Sequence, residues 1–208
     1  MDKNNLWRLS ASEIVKATTT GEIRTVDVIT SAVDRMKQVN PSLNAVVVDL
    51  SEKAIETADL LDRDRDNGKQ CGPLHGVPIT IKINVDQKGH ATSNGVSALK
   101  DWIAPDDAPI VKNLQKAGAI IIGRTNTPEF SFRADTDNGL HGRTNNPWGS
   151  HVSAGGSSGG AGAAVMSGIG AMGHGNDIGG SLRFPAAANG AFTVKPSLGR
   201  VPAWNTSH

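Results

Sequence analysis

The 208-residue sequence holds a single cysteine, Cys71, which excludes an internal disulfide framework and any multi-cysteine zinc site. Long apolar runs are missing as well. No stretch approaches the roughly eighteen apolar residues that a membrane-spanning helix needs. Charge of one sign is not in excess: 20 acidic against 21 basic side chains leave +1, and no general attraction to nucleic acid or an anionic membrane follows. The opening run Met1 to Trp7 lacks an apolar signal-peptide core, so a cytoplasmic location is expected. With 38% hydrophobic and 20% charged residues, wholesale disorder is excluded too. The length fits one domain, and such a chain buries roughly 70% of its unfolded surface. What is abundant is glycine. There are 24, and 13 of them lie between Gly155 and Gly199.

Residues 1–70 read as a helical N-terminal region, and 71–208 as an α/β core. Ser10 and Glu13 have the spacing of a capping box. A second helix is predicted from Thr25, with Val28, Ile29, Ala32, Val33 and Met36 on one stripe, stopping before Pro41. Asn44 to Val48 is compatible with a strand or a helix connection. Ser51 to Arg65 returns to helical periodicity. After the turn at Gly72 to Gly76, Val77, Ile79, Ile81, Ile83 and Val85 alternate with polar residues, predicting a strand with Lys82 on its polar face. Pro109 to Ala119 reads as a helix and Ala119 to Gly123 as a buried strand, which together suggest parallel pairing. Asp135 to Ser153 is turn-rich and expected to be loop.

The glycine block Ser153 to Val165 admits several readings. A flexible linker is one, although the apolar run from Ala163 to Ala171 calls for burial as a helix. A phosphate cradle is another, but the Gly-Lys-Ser/Thr of a P-loop is absent, and Val165 stands where a dinucleotide fingerprint wants Gly or Ala. Gly156-Ser157-Ser158-Gly159-Gly160 does satisfy the nucleophile-elbow pattern with Ser158 central. With Asp177 as its acid, only the terminal His208 is left as base, so that reading is poor. The fourth reading uses a second serine, Ser181, 24 positions after Ser157 and preceded by Gly179 and Gly180. Glycines let backbone amides converge on a small anionic atom, and a lysine made neutral by burial serves as base for a serine. Lys82 is the best candidate; a solvated strand lysine is the alternative.

Together these residues resemble the amidase signature family. Leu74 to Lys82 is similar to its lysine strand, Gly123 to Phe130 and Asn145 to Trp148 to its intermediate motifs, Gly155 to Arg183 to its Ser/Gly-rich hallmark, and Lys195 to Val201 to its closing segment. The resemblance implies an α/β fold, a mixed sheet flanked by helices, incomplete at its C-terminal side. It implies Ser181 as the acyl-accepting nucleophile, Ser157 as a bridging serine after a cis peptide bond, and Lys82 as base. The backbone amides of Ile178, Gly179, Gly180 and Ser181 would form an oxyanion hole, with Ser158, Asp177 and Arg183 in support. The implied chemistry is hydrolysis of a carboxylic amide to acid and ammonia or amine through a seryl acyl-enzyme, with no metal or organic cofactor.

The sequence departs from the family pattern at Asn176, where Thr is usual, at Ala154, where Pro is frequent, and at Asn189. Family members are generally more than twice as long, so a missing C-terminal half is expected. Expected partners are a small-molecule amide and a second copy in a homodimer; nucleic acid and membrane are not expected. Two alternatives stand beside the hydrolase: the amidase-like component of a glutamyl-tRNA amidotransferase, and an inactive truncated remnant.

Overall fold

A computed structural model of the chain describes residues 3–202 and 204; His208 lies outside the described residues. Helix α1 (Ala11–Thr20) opens with the capping box as the sequence predicts: Ser10 N–H donates to Glu13 Oε2 at 2.8 Å, and Glu13 N–H to Ser10 Oγ at 3.3 Å. Helix α2 (Thr25–Leu43) does not stop before Pro41 but runs through it to Asn44, whose φ is 51°. Pro41 lies in the last turn and forfeits its own N–H donor, and Asn40 braces the exit. Its Oδ1 accepts from Ala45 and Val46 N–H, and its Nδ2 donates to Val46 O. Strand β1 (Val46–Asp49) resolves the open reading of Asn44 to Val48, and helix α3 (Ser51–Asp66) follows it.

Strand β2 (Pro78–Lys82) is shorter than its apolar alternation suggests, and all five of its residues are buried. Helix α4 (Pro109–Lys116) leads to β3 (Ile120–Thr125), likewise buried throughout. The segment expected to be loop contains a small hairpin, β4 (Asn145–Asn146) and β5 (Gly149–Ser153). Polar turn residues hid strands this short. The glycine block enters helix α5 (Gly159–Met166), which rules out a flexible linker, and β6 (Met172–Gly173) and α6 (Arg183–Asn189) complete the chain.

The main sheet has the order β1-β3-β2-β6, with β1 antiparallel to β3 and the other pairs parallel. It is a mixed sheet with a core on each face. Ile120 and Ile122 pack with Ile29, Ala54, Ala163 and Ile169, while Ile121 joins Ile79, Ile81, Ile14 and Val111. Among the described residues no helix is long and apolar enough to cross a membrane. Helix α5 reaches the sheet because Gly160 has no side chain: a Cβ there would stand 2.6 Å from Asn126 N, 2.7 Å from Asn126 O and 2.8 Å from Ala45 O. All three are backbone atoms and none can swing aside. Gly160→Ala is therefore expected to destabilise the chain by about 3 kcal/mol, read from urea unfolding. A loss below ~0.5 kcal/mol, the range of a neutral surface change, would show that α5 does not dock so closely.

Candidate active site

The parallel strands β2, β3 and β6 end on the same side of the sheet, which puts Lys82, Asn126 and the segment after Gly173 together. The C-terminal ends of parallel strands are where open α/β sheets leave a crevice for ligands. Lys82 is the last residue of β2 and is fully buried. Burial on both faces of a parallel strand, rather than a solvated polar face, is what the alternating pattern did not show.

Lys82 Nζ meets three oxygens: Ser157 Oγ at 2.6 Å, Asn176 Oδ1 at 2.8 Å and Ser158 Oγ at 3.2 Å. Burial pulls its pKa down to about 7, and the Asp177 carboxylate acts in the opposite direction. A lysine with that value is a base near neutral pH. Both serines are buried and lie just before α5. The Gly156–Ser157 peptide bond is cis, and a Cβ on Gly156 would meet Arg133 O at 2.3 Å. Thr136 holds the bend from the other side: its hydroxyl donates to Gly155 O at 2.8 Å and accepts from Gly159 N–H at 3.1 Å.

The second serine arrives on the loop from β6 to α6. Ser158 N–H donates to Ser181 O at 3.1 Å, which ties the two serine segments. Among the described residues the Ser181 hydroxyl itself makes no hydrogen bond to Ser157. Asp177 organises this loop, accepting from Gly180 N–H at 2.7 Å, Leu182 N–H at 3.2 Å and Arg183 N–H at 3.3 Å. The Arg183 guanidinium grips the same carboxylate with Nε at 2.9 Å and a terminal nitrogen at 3.0 Å. Arg183 first, then these amides, holds the Asp177 carboxyl well below its usual range against the effect of burial.

One sequence expectation needs correction here. The Gly180 amide points at Asp177, so it is spent on loop structure rather than left to stabilise an oxyanion. The N–H groups of Ile178, Gly179 and Ser181 have no acceptor among the described residues. Ile178 and Gly179 are exposed, and Ser181 is half-buried, so these amides face an open surface.

The Amidase family model matches residues 27–207. The chain belongs to the Amidase family. Its sheet and flanking helices are the fold of amidase signature enzymes. An indoleacetamide hydrolase from Bradyrhizobium diazoefficiens is 58% identical over 205 residues, covering 99% of this chain and 39% of that protein. A glutamyl-tRNA(Gln) amidotransferase component from Rhodopirellula baltica is 41% identical, covering 92% of this chain and 38% of its own length. Among solved structures, a fatty acid amide hydrolase superposes with a TM-score of 0.87 at 33% identity, covering 90% of this chain and 33% of that one. The chain thus spans about two fifths of the length of these curated relatives, 39% and 38%.

Three residues around this cluster were given no role in it from the sequence. Thr136 sat in a polar stretch with nothing to distinguish it from its neighbours. Asn176 stood out only as a departure from the family pattern, with no sign that it would touch Lys82. His174 follows β6 and donates its backbone N–H to Thr80 O at 2.8 Å. Its Nδ1 is buried without a partner among the described residues, and burial, then Lys82, lowers its pKa to about 4. It is neutral wherever Lys82 titrates.

Proposed function

We propose that this chain carries the catalytic constellation of a hydrolase that cleaves a carboxylic amide through a seryl acyl-enzyme. The observation that carries the reading is Lys82: buried, titrating near neutrality and 2.6 Å from the buried Ser157 hydroxyl. A neutral amine there accepts a proton from Ser157, which replaces it with one from Ser181. The Ser181 oxygen attacks the amide carbonyl, and the N–H groups of Ile178, Gly179 and Ser181, which have no acceptor among the described residues, donate to the oxygen on which negative charge develops. The relay then returns the proton to the leaving nitrogen, and water repeats the attack on the ester. Asp177 and Arg183 act by holding the loop that presents these amides, and Ser158 by contacting Lys82.

The greater identity to an indoleacetamide hydrolase than to an amidotransferase component, 58% against 41%, favours simple hydrolysis of a small amide over ammonia transfer. The fully exposed Ile178, Phe192 and Leu198 support a further part of the reading. More protein covers these side chains, either a C-terminal half of the family fold or a second copy in a homodimer. Residues 1–70, mainly helical but with strand β1 in the main sheet, and 71–208 then form parts of one larger α/β domain, working in the cytoplasm.

The test is release of acid and ammonia from an aryl or aliphatic acetamide, with neither tRNA nor a partner protein added. Turnover is the expected result. Amide consumption that requires a partner and an acyl-tRNA acceptor would replace hydrolysis by transfer, and no consumption under either condition would overturn the activity of this chain.

A further inference from the structure

We infer that Asn176 is a positioning residue that aims the lone pair of neutral Lys82 at Ser157. The inference rests on the hydrolase reading above and adds a residue to it. As an ammonium, Lys82 donates to all three oxygens around Nζ, those of Ser157, Ser158 and Asn176. As a neutral amine it keeps two N–H groups and gains a lone pair, so one of the three contacts must supply a proton instead. Asn176 Oδ1 carries none and accepts only. The amide oxygen is the atom that faces Lys82 Nζ, at 2.8 Å.

Ser158 is committed in the same direction. Its hydroxyl donates to Asn176 O at 3.3 Å and therefore meets Lys82 with a lone pair. Asn176 N–H approaches the same hydroxyl oxygen at 3.4 Å, which holds the serine in place. Asn176 thus acts twice, through its side chain on Lys82 and through its backbone on Ser158. Ser157 is the one contact of Lys82 whose hydroxyl proton has no other acceptor among the described residues. The lone pair is left to Ser157, and the base is oriented before any substrate arrives. A hydroxyl side chain at position 176 would be able to turn a proton toward Lys82 and compete with Ser157.

Two variants separate aim from mere support. The titratable groups bearing on Lys82 are Asp177, from the loop after β6, which Arg183 engages, and His174, which stays neutral across the range. The segment carrying Ser157 and Ser158 adds none. Asn176→Asp keeps an acceptor-only oxygen but adds a negative charge. Its rate of Ser181 acylation by a reactive ester is expected to reach the wild-type plateau within about threefold, with the midpoint moved alkaline by about a pH unit or more. Asn176→Leu removes the acceptor and is expected to lose about tenfold or more of the plateau at every pH.

Titration of ε-¹³C-labelled Lys82 by NMR gives a readout independent of turnover, and the alkaline shift in Asn176→Asp should appear there too. A leucine variant with its plateau within about twofold of wild type, or an aspartate variant whose Lys82 midpoint does not move, overturns the inference. If the wild-type chain is not acylated, the hydrolase reading falls, and the NMR shift alone then decides the contact: present, it supports Asn176 as the partner of Lys82; absent, it removes it.

Discussion

Ser181→Ala should abolish covalent labelling of the chain by a reactive ester or a fluorophosphonate, lowering the acylation rate by about 10³-fold or more. The size follows from chemistry. Alanine has no atom that can form the acyl bond, while Lys82 and Ser157, buried behind it, keep their own contact at 2.6 Å. The fold should hardly notice. Ser181 is half-buried, and its tie to Ser158 is through its backbone oxygen, so the change in stability should stay within about 0.5 kcal/mol. Intact-mass spectrometry after exposure to the reagent reads the result directly. Stoichiometric labelling of the alanine variant would assign the nucleophile to another residue, and Ser157 would be the first to test.

Lys82→Met should produce the second large loss and should also change how rate and stability depend on pH. A general base contributes about 10²–10⁴ in rate, and methionine fills most of the space of the lysine stem without a titratable end. In the wild-type chain, acylation should rise about tenfold per pH unit below the Lys82 pKa of about 7 and level off above it, because only the neutral amine accepts a proton. The variant should show no plateau near that value. A wild-type profile that rises without a break through pH 7 would exclude Lys82 as the base.

Linkage gives an independent check with a definite sign. The Lys82 pKa is lowered in the folded chain, from 10.5 to about 7, chiefly by burial. Between those values the unfolded chain binds more protons, so the contribution of this group to stability rises with pH. It is at its full value above the unfolded pKa and is lost as the pH falls through about 7. Wild-type stability measured relative to Lys82→Met should therefore increase from about pH 7 to about pH 10, and a flat difference would mean that the ammonium is not desolvated in the fold.

Much of the fold was legible because its signals are local. The Ser10–Glu13 box marks the start of α1, and the apolar run Ile120, Ile121, Ile122 marks a buried strand. The glycines before Ala163 could be told from a linker by the apolar helix they introduce. Other local rules misled. Pro41 suggested a helix end one turn too early, since the Asn40 side chain takes up the N–H groups of Ala45 and Val46 and holds the exit beyond the proline. The β4–β5 hairpin was invisible because β4 has only two residues, too few for any alternation to show.

The candidate site divides in the same way. Serines, glycines and a strand lysine in a family-like order name Lys82, Ser157 and Ser181 from sequence alone, since which atoms can act as nucleophile, relay and base is a property of residue type. Their environment is a different matter. Whether Lys82 is solvated or buried depends on helices and strands packed against both faces of β2, and its proton affinity follows from that burial. That Gly180 gives its amide to Asp177, while Asn176 and Ser158 take the lysine's N–H groups, is set by a loop that closes on α5 from a separate stretch of the chain. Distances, desolvation and the direction of each hydrogen bond arise only when segments remote in sequence meet. One cysteine and a balanced charge bound the chemistry, and the packing around Lys82 gives that chemistry its pH and its direction.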